Sequence, residues 1–219
     1  MLIAGFPSGS LQANCYLIGA DDSTEIVVID PGENAAATIE RALPDLDRKV
    51  AGVLLTHGHL DHCADAAQIA DAHQVPVYCH VDDWPMLIEP MRGLLDEFAP
   101  YAASITGPEL KLPKPQQLLD YPTELFLAGV EFKVHHAPGH SPGSVVLMID
   151  ADQPVALTGD VIFAGSIGRV DLPGGDQFQM TSSLTQLART ISPQTALLPG
   201  HGPASTMAEE LASNRYLQQ

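Results

Sequence analysis

The sequence predicts an α/β fold of sheet layers covered by helices, and two observations predict it. Short apolar, β-branched runs recur along the chain, each bounded by Gly, Pro or Asp, and segments with helical spacing lie between several of them. Strands and helices interleaved in this way bury their apolar faces by stacking as layers. With 219 residues and 45% hydrophobic content the chain can bury a sizeable core, and one domain over residues 1–219 is expected.

In chain order, the runs at 15–19 and 25–30 read as strands, the second closed by Pro31-Gly32, and a helix is expected over 34–42. The apolar run at 50–55 is a strand, followed by a helix over 62–72, a strand at 75–79 and a helix over 81–90. Prolines at 85, 90, 100, 108, 113, 115 and 122 then cut the chain into pieces of at most about one helix each, a segment that reads as a lid over a cleft. Strands are expected at 130–135, 145–149, 155–157 and 195–198, with helices over 180–190 and 206–214. No internal repeat, low-complexity tract or Gly-Ser linker interrupts this pattern.

Charge and cysteine usage exclude several classes of function. The net charge of −17 comes from 27 acidic against 10 scattered basic residues, which disfavours nucleic acid and anionic membrane surfaces as partners. No Lys or Arg precedes Arg41 and no apolar run approaches the ~18 to 20 residues that span a bilayer, so a soluble, cytoplasmic protein is expected. Cys15, Cys63 and Cys79 are odd in number and form no Cys-x-x-Cys pair, which fits a reducing compartment and three small buried apolar side chains.

The stretch LLTHGHLDHCAD, residues 54–65, carries the strongest chemical signal. Residues two apart in an extended segment point the same way, so His57 and His59 project their imidazoles to one side at a strand's end, suited to one metal. Asp61 and His62 stand where a helix should begin, pointing elsewhere, suited to a second metal. A shuffled chain of this composition would hold His-x-His-x-Asp-His roughly once in a thousand cases. Three further candidates follow strands within Gly-containing turns: His140 in APGHSPGS, Asp160 in LTGDVIF and His201 in LLPGHGPAS. Singly, each is a turn residue more often than a ligand; together, in this order, they reverse those odds.

These seven residues, in this order, resemble the metallo-β-lactamase fold superfamily over essentially the whole chain. The stretch FAGSIGRVDLPGGD, residues 163–176, and the ending NRYLQQ resemble more narrowly the short bacterial relatives of glyoxalase II, the hydroxyacylglutathione hydrolases. The resemblance implies a four-layer αββα sandwich of two packed mixed β-sheets flanked by helices. It implies that His57, His59 and His140 hold one metal and Asp61, His62 and His201 another, with Asp160 bridging and Asp61 and Asp160 as the catalytic carboxylates. Two divalent ions follow, Zn²⁺ foremost with iron or manganese also admitted, because imidazole and carboxylate are not strongly selective.

The implied activity is hydrolysis of an acyl thioester such as S-D-lactoylglutathione by a hydroxide shared between the metals. The alternative is a persulfide dioxygenase that uses one iron on the same fold. True β-lactamase activity is disfavoured by Asp160, which stands where many such enzymes carry Cys. A glyoxalase II-type helical domain, with basic residues for the glutathione carboxylates, is not expected within the residues after His201. Asp30, in VVIDPG, reads equally as an acceptor for a ligand imidazole or as a strand-ending acid before a turn. Arg169 and Asp171 read as a structural pair, His135 and His136 as strand-end residues, and Cys63 as packing.

Overall fold

In a computed structural model, which describes residues 1–218, the chain forms two six-stranded sheets stacked between helical layers. The first sheet comprises β1 (Leu2–Ser8), β2 (Ala13–Gly19), β3 (Glu25–Ile29), β4 (Lys49–Leu54), β5 (Val77–Tyr78) and β6 (Leu118–Leu119), side by side in that order. The second runs β12 (Ser205–Thr206), β11 (Ala196–Pro199), β10 (Val155–Gly159), β9 (Val145–Ile149), β8 (Val130–His136) and β7 (Glu124–Leu127). The helices are α1 (Ala35–Leu46), α2 (Leu60–Cys63), α3 (Ala66–His73), α4 (Ala99–Thr106), α5 (Gln177–Thr190) and α6 (Met207–Ser213).

The strand period of two builds the layers. Along β2, Cys15 and Leu17 face α1 and α3 with Ala36, Ile39 and Ile69, while Tyr16 and Ile18 face the other sheet with Phe132 and Leu147. Along β9, Val145, Leu147 and Ile149 fill the space between the sheets, and Val146 and Met148 turn outward onto Met180, Leu184 and Leu187 of α5. Both strands are apolar on both faces because both faces are covered. This is the αββα sandwich the sequence implies.

The expected elements are present with shifted ends and two substantive differences. The helix expected over 62–72 is split into α2 and α3, because Asp65 leaves helical geometry and turns its carboxylate to Ala36 N (2.9 Å). That bond caps the open end of α1, which Asn34 cannot cap from its left-handed conformation. The helix expected over 81–90 is instead short 3₁₀ turns at Val81–Asp83 and Pro90–Arg92, since Pro85 and Pro90 remove donors that a continuous helix needs. Strands β1, β6, β7 and β12 were not anticipated. All four are edge strands: β6 and β12 are two residues long and β7 four, too short to show a period, and β1 is interrupted by Gly5 and Pro7, which an edge strand tolerates.

Among the described residues no helix is long and apolar enough to cross a membrane. All three cysteines are free and buried, as expected, and burial pushes their thiols well above the ordinary range.

The topology concentrates loops at one edge. Strands β3, β4 and β5 run parallel in the first sheet, and β10 and β11 run parallel in the second, so the segments leaving their C-terminal ends emerge together. Val145 N donates to Thr56 O (2.8 Å) and Asn14 N to Gly200 O (2.7 Å), which stitches the two sheets at that edge.

Candidate metal centre

All seven residues singled out in the sequence converge there. His57 follows β4, His59 precedes α2, and Asp61 and His62 lie on α2; His140 lies between β8 and β9, Asp160 directly follows β10, and His201 follows β11. His57, His59 and His140 form one cluster and Asp61, His62 and His201 another, each with donor atoms within 4.8 Å of one another. Asp160 lies between them: its Oδ1 is 3.4 Å from His62 Nε2, and its Oδ2 is 3.5 Å from His140 Nε2 and 3.7 Å from His201 Nε2.

Most of the imidazoles are held at their outer nitrogen and present the other inward. His57 Nδ1 lies 3.1 Å from Thr56 Oγ1, His62 Nδ1 3.1 Å from Asp30 Oδ2, and His140 Nδ1 donates to Arg169 O at 2.7 Å. Such outer contacts fix tautomer and ring orientation. His59 Nδ1 meets His140 Nε2 at 2.8 Å, and His62 Nε2 meets His201 Nε2 at 3.3 Å.

The donor set fits bound cations. His57 Nε2 and Asp160 Oδ1 are buried without any hydrogen-bond partner, and pairs of imidazole nitrogens face one another with at most one proton to share. Buried polar atoms left without partners are costly unless something positive completes them. Without a cation the cluster balances its own charges. Burial would lower His62, yet Asp61, Asp160 and Asp30 outweigh it and push it up to about 10; burial and the neighbouring His140 drive His59 down to about 3. Burial would raise Asp61, but His62, the His201 contact and His59 hold it below the usual carboxylate range.

Asp30 serves the site. It is buried, sits at φ +49°, and accepts from Thr56 N (2.7 Å) and Thr56 Oγ1 (2.6 Å) while facing His62. A non-glycine residue held in left-handed backbone is strained, and such strain persists where the surroundings over-determine it. Glycines let the backbone close in as well: a Cβ on Gly200 would lie 2.2 Å from Asp160 Oδ1, and one on Gly168 1.9 Å from Asp160 O. Gly168 thereby brings the SIGRVD loop onto the centre, where the Arg169 carbonyl holds His140. The Arg169 side chain forms the expected pair with Asp171, at 2.6 and 2.8 Å.

A residue the sequence reading missed is Asp83. Fully buried, it accepts from Gly58 N (2.8 Å), Ser141 Oγ (2.7 Å) and Gly143 N (2.7 Å), so it ties the loop of His57 and His59 to the loop of His140. Burial raises its carboxyl, against the three donors. Only the Asp82-Asp83 pair shortly after an apolar strand and His80 signalled it in the sequence.

The remaining histidines lie elsewhere. His73 pairs with Glu40 (2.7 Å), and His135 and His136 end β8. His80 stacks on His136 at 4.0 Å with 6° between planes, beside Asp82. Its donor atoms also lie within 4.8 Å of one another, but the group sits at the surface with Asp82 and His136 exposed, apart from the buried clusters. Cys63 packs under the site and donates to Gly58 O (3.5 Å). Cys63→Ala is expected to retain the metals and most activity with a modest loss of stability; a lost metal ion on elemental analysis would overturn that placement.

A family model described as the metallo-beta-lactamase superfamily matches residues 8–201. The chain belongs to the metallo-β-lactamase superfamily. Within it, an uncharacterized protein of Mycobacterium leprae is 39% identical over 220 residues, covering 100% of this chain and 99% of that protein. The hydroxyacylglutathione hydrolase GloC of Haemophilus influenzae is 33% identical over 218 residues, covering 99% and 98%. Among solved structures, the B3 metallo-beta-lactamase BLEG-1 superposes with a TM-score of 0.84 at 33% identity, covering all of both chains. TTHA1623 in a di-iron-bound form gives 0.77 at 34% identity, covering 98% of this chain and 100% of that one.

Proposed function

We propose that this metallo-β-lactamase superfamily member is a binuclear metal-dependent hydrolase of acyl thioesters. The observation that carries the proposal is the carboxylate of Asp160 set between the His57, His59 and His140 cluster and the Asp61, His62 and His201 cluster, with an oxygen toward each. His57, His59 and His140 would hold one metal, Asp61, His62 and His201 the other, and Asp160 both. Similarity to GloC, described as a hydroxyacylglutathione hydrolase, supports a thioester substrate, and the di-iron form of TTHA1623 supports iron beside zinc as the metal.

Two bound divalent cations would supply a Lewis acid for the carbonyl oxygen and an activated water at neutral pH. The chain's own part is positioning. Asp61 and Asp160 are the carboxylates available to orient the attacking water, and the buried imidazoles, held through Thr56, Asp30 and Arg169, keep the ligand geometry from relaxing. The water oxygen bonds to the acyl carbon, the C–S bond breaks, and the thiol leaves with a proton from that water. A thiolate leaves readily, so no dedicated side-chain acid is required.

The test is elemental analysis of protein purified without added metal, together with turnover of S-D-lactoylglutathione, glutathione persulfide and a β-lactam. About two metal ions per chain and thioester hydrolysis are expected. One tightly held iron with oxygen consumption on the persulfide would replace the proposal with a dioxygenase. Turnover of the β-lactam alone would shift the assignment toward the activity for which BLEG-1 is named.

A further inference from the structure

The centre opens into a cavity of about 350 Å³, at the small end of ligand pockets. Apart from the candidate metal ligands, its walls are Leu11, Leu94, Phe98, Tyr101, Phe163 and Leu172, with Arg169 the single cation. The Pro-rich segment thus acts as a wall: the 3₁₀ turns around Leu94 and Phe98 and the first turn of α4 at Tyr101 place apolar surface over His59 and Asp61. Gly93 approaches so closely that a Cβ there would lie 2.7 Å from the His59 ring.

Arg169 is not free to take an anion. Its guanidinium makes two bonds to Asp171 and lies 5.9 Å from the centre of the Phe98 ring. Much of its charge is already answered by a bidentate carboxylate. Each carboxylate of a glutathione moiety would therefore enter this cavity without an unengaged Lys or Arg, in a chain whose net charge is −17.

We infer that the cavity selects thioesters of apolar acyl groups on uncharged thiols, with Phe98 and Leu94 setting the preference; this rests on the thioester reading of the same centre. An acyl chain lying along Leu94, Phe98 and Leu172 gains apolar burial, whereas the glutathione half gains little beyond its thioester. The metal-loaded protein is assayed with acetyl, butyryl and hexanoyl thioesters of N-acetylcysteamine and of glutathione. Calorimetry measures binding of acetate, hexanoate and glutathione to the same protein, a readout that needs no turnover.

Expected are a kcat/KM that rises about threefold per methylene until the cavity is filled, and glutathione thioesters turned over no better than their uncharged counterparts. Hexanoate is expected to bind at least about tenfold tighter than acetate. Phe98→Ala flattens both series and Phe98→Leu keeps them. Asp171→Asn, at an exposed position, shifts the thiol preference toward glutathione by freeing Arg169. A flat acyl series together with equal binding of acetate and hexanoate would overturn the inference, as would a glutathione preference above about twofold. Hexanoate preference without turnover of any thioester would instead sink the hydrolase proposal and leave the apolar selectivity standing.

Discussion

Asp160→Ala is expected to lower metal content below two ions per chain and to cut thioester hydrolysis by at least ~10²-fold, a loss of about 3 kcal/mol in transition-state stabilisation. The effect is large because one carboxylate serves both clusters. Its oxygens lie 3.4 Å from His62 Nε2 and 3.5 Å from His140 Nε2, and Oδ1 has no other partner to satisfy it. Removing it leaves the three imidazoles of one cluster without a carboxylate and the Asp61, His62 and His201 cluster with Asp61 alone, while Gly168 and Gly200 present only backbone at that point. Elemental analysis and initial rates check both halves, and full metal occupancy with near wild-type turnover would refute the bridging role.

The second large effect is expected at a residue that touches no candidate metal site. Asp83→Ala strands two buried backbone donors, Gly58 N and Gly143 N, each worth about 1 to 3 kcal/mol when left unpaired, and leaves Ser141 Oγ only its contact with Ser144 Oγ. A loss of at least ~3 kcal/mol lowers Tm by roughly 6 to 12 °C in a domain of this size. The same change releases the loop of His57 and His59 from the loop of His140. The first cluster should therefore lose metal to a chelator sooner than the Asp61, His62 and His201 cluster. Asp83→Asn keeps the shape and one acceptor, so a smaller loss of both kinds is expected. Thermal melts with and without chelator test this, and a Tm within about 2 °C of the parent in the alanine variant would show that the clamp is dispensable.

Local order was legible wherever burial imposes a period. Strands β2, β3, β4, β8, β9, β10 and β11 are apolar on the faces they bury, and α5 repeats Met180, Leu184 and Leu187 along one stripe, so each was visible before any contact was known. The His-x-His-x-Asp-His cluster was legible for a different reason, since His57, His59, Asp61 and His62 occupy one strand-to-helix connection and their spacing carries its own chemistry. What defeated the reading were short edge strands and the Val81–Asp83 turn, where propensity gave no sustained signal against the prolines that follow.

The amino-acid sequence by itself determined the layered fold, the strand and helix periods and the seven residues that are candidate metal ligands. Tertiary structure alone decided how those residues meet. His140, Asp160 and His201 come from loops far from His57 in the chain and reach it because parallel strands in each sheet open at one edge, where bonds between Thr56 and Val145 and between Asn14 and Gly200 lock the sheets together. Tertiary structure also turned Asp30 toward His62, gave Asp83 its three donors, set the Arg169 carbonyl on His140 and paired the Arg169 side chain with Asp171. The physical reason is that period and propensity act over a few neighbouring residues, whereas the orientation of a buried polar group is fixed by hydrogen-bond partners brought from other elements, and only the packed chain supplies those.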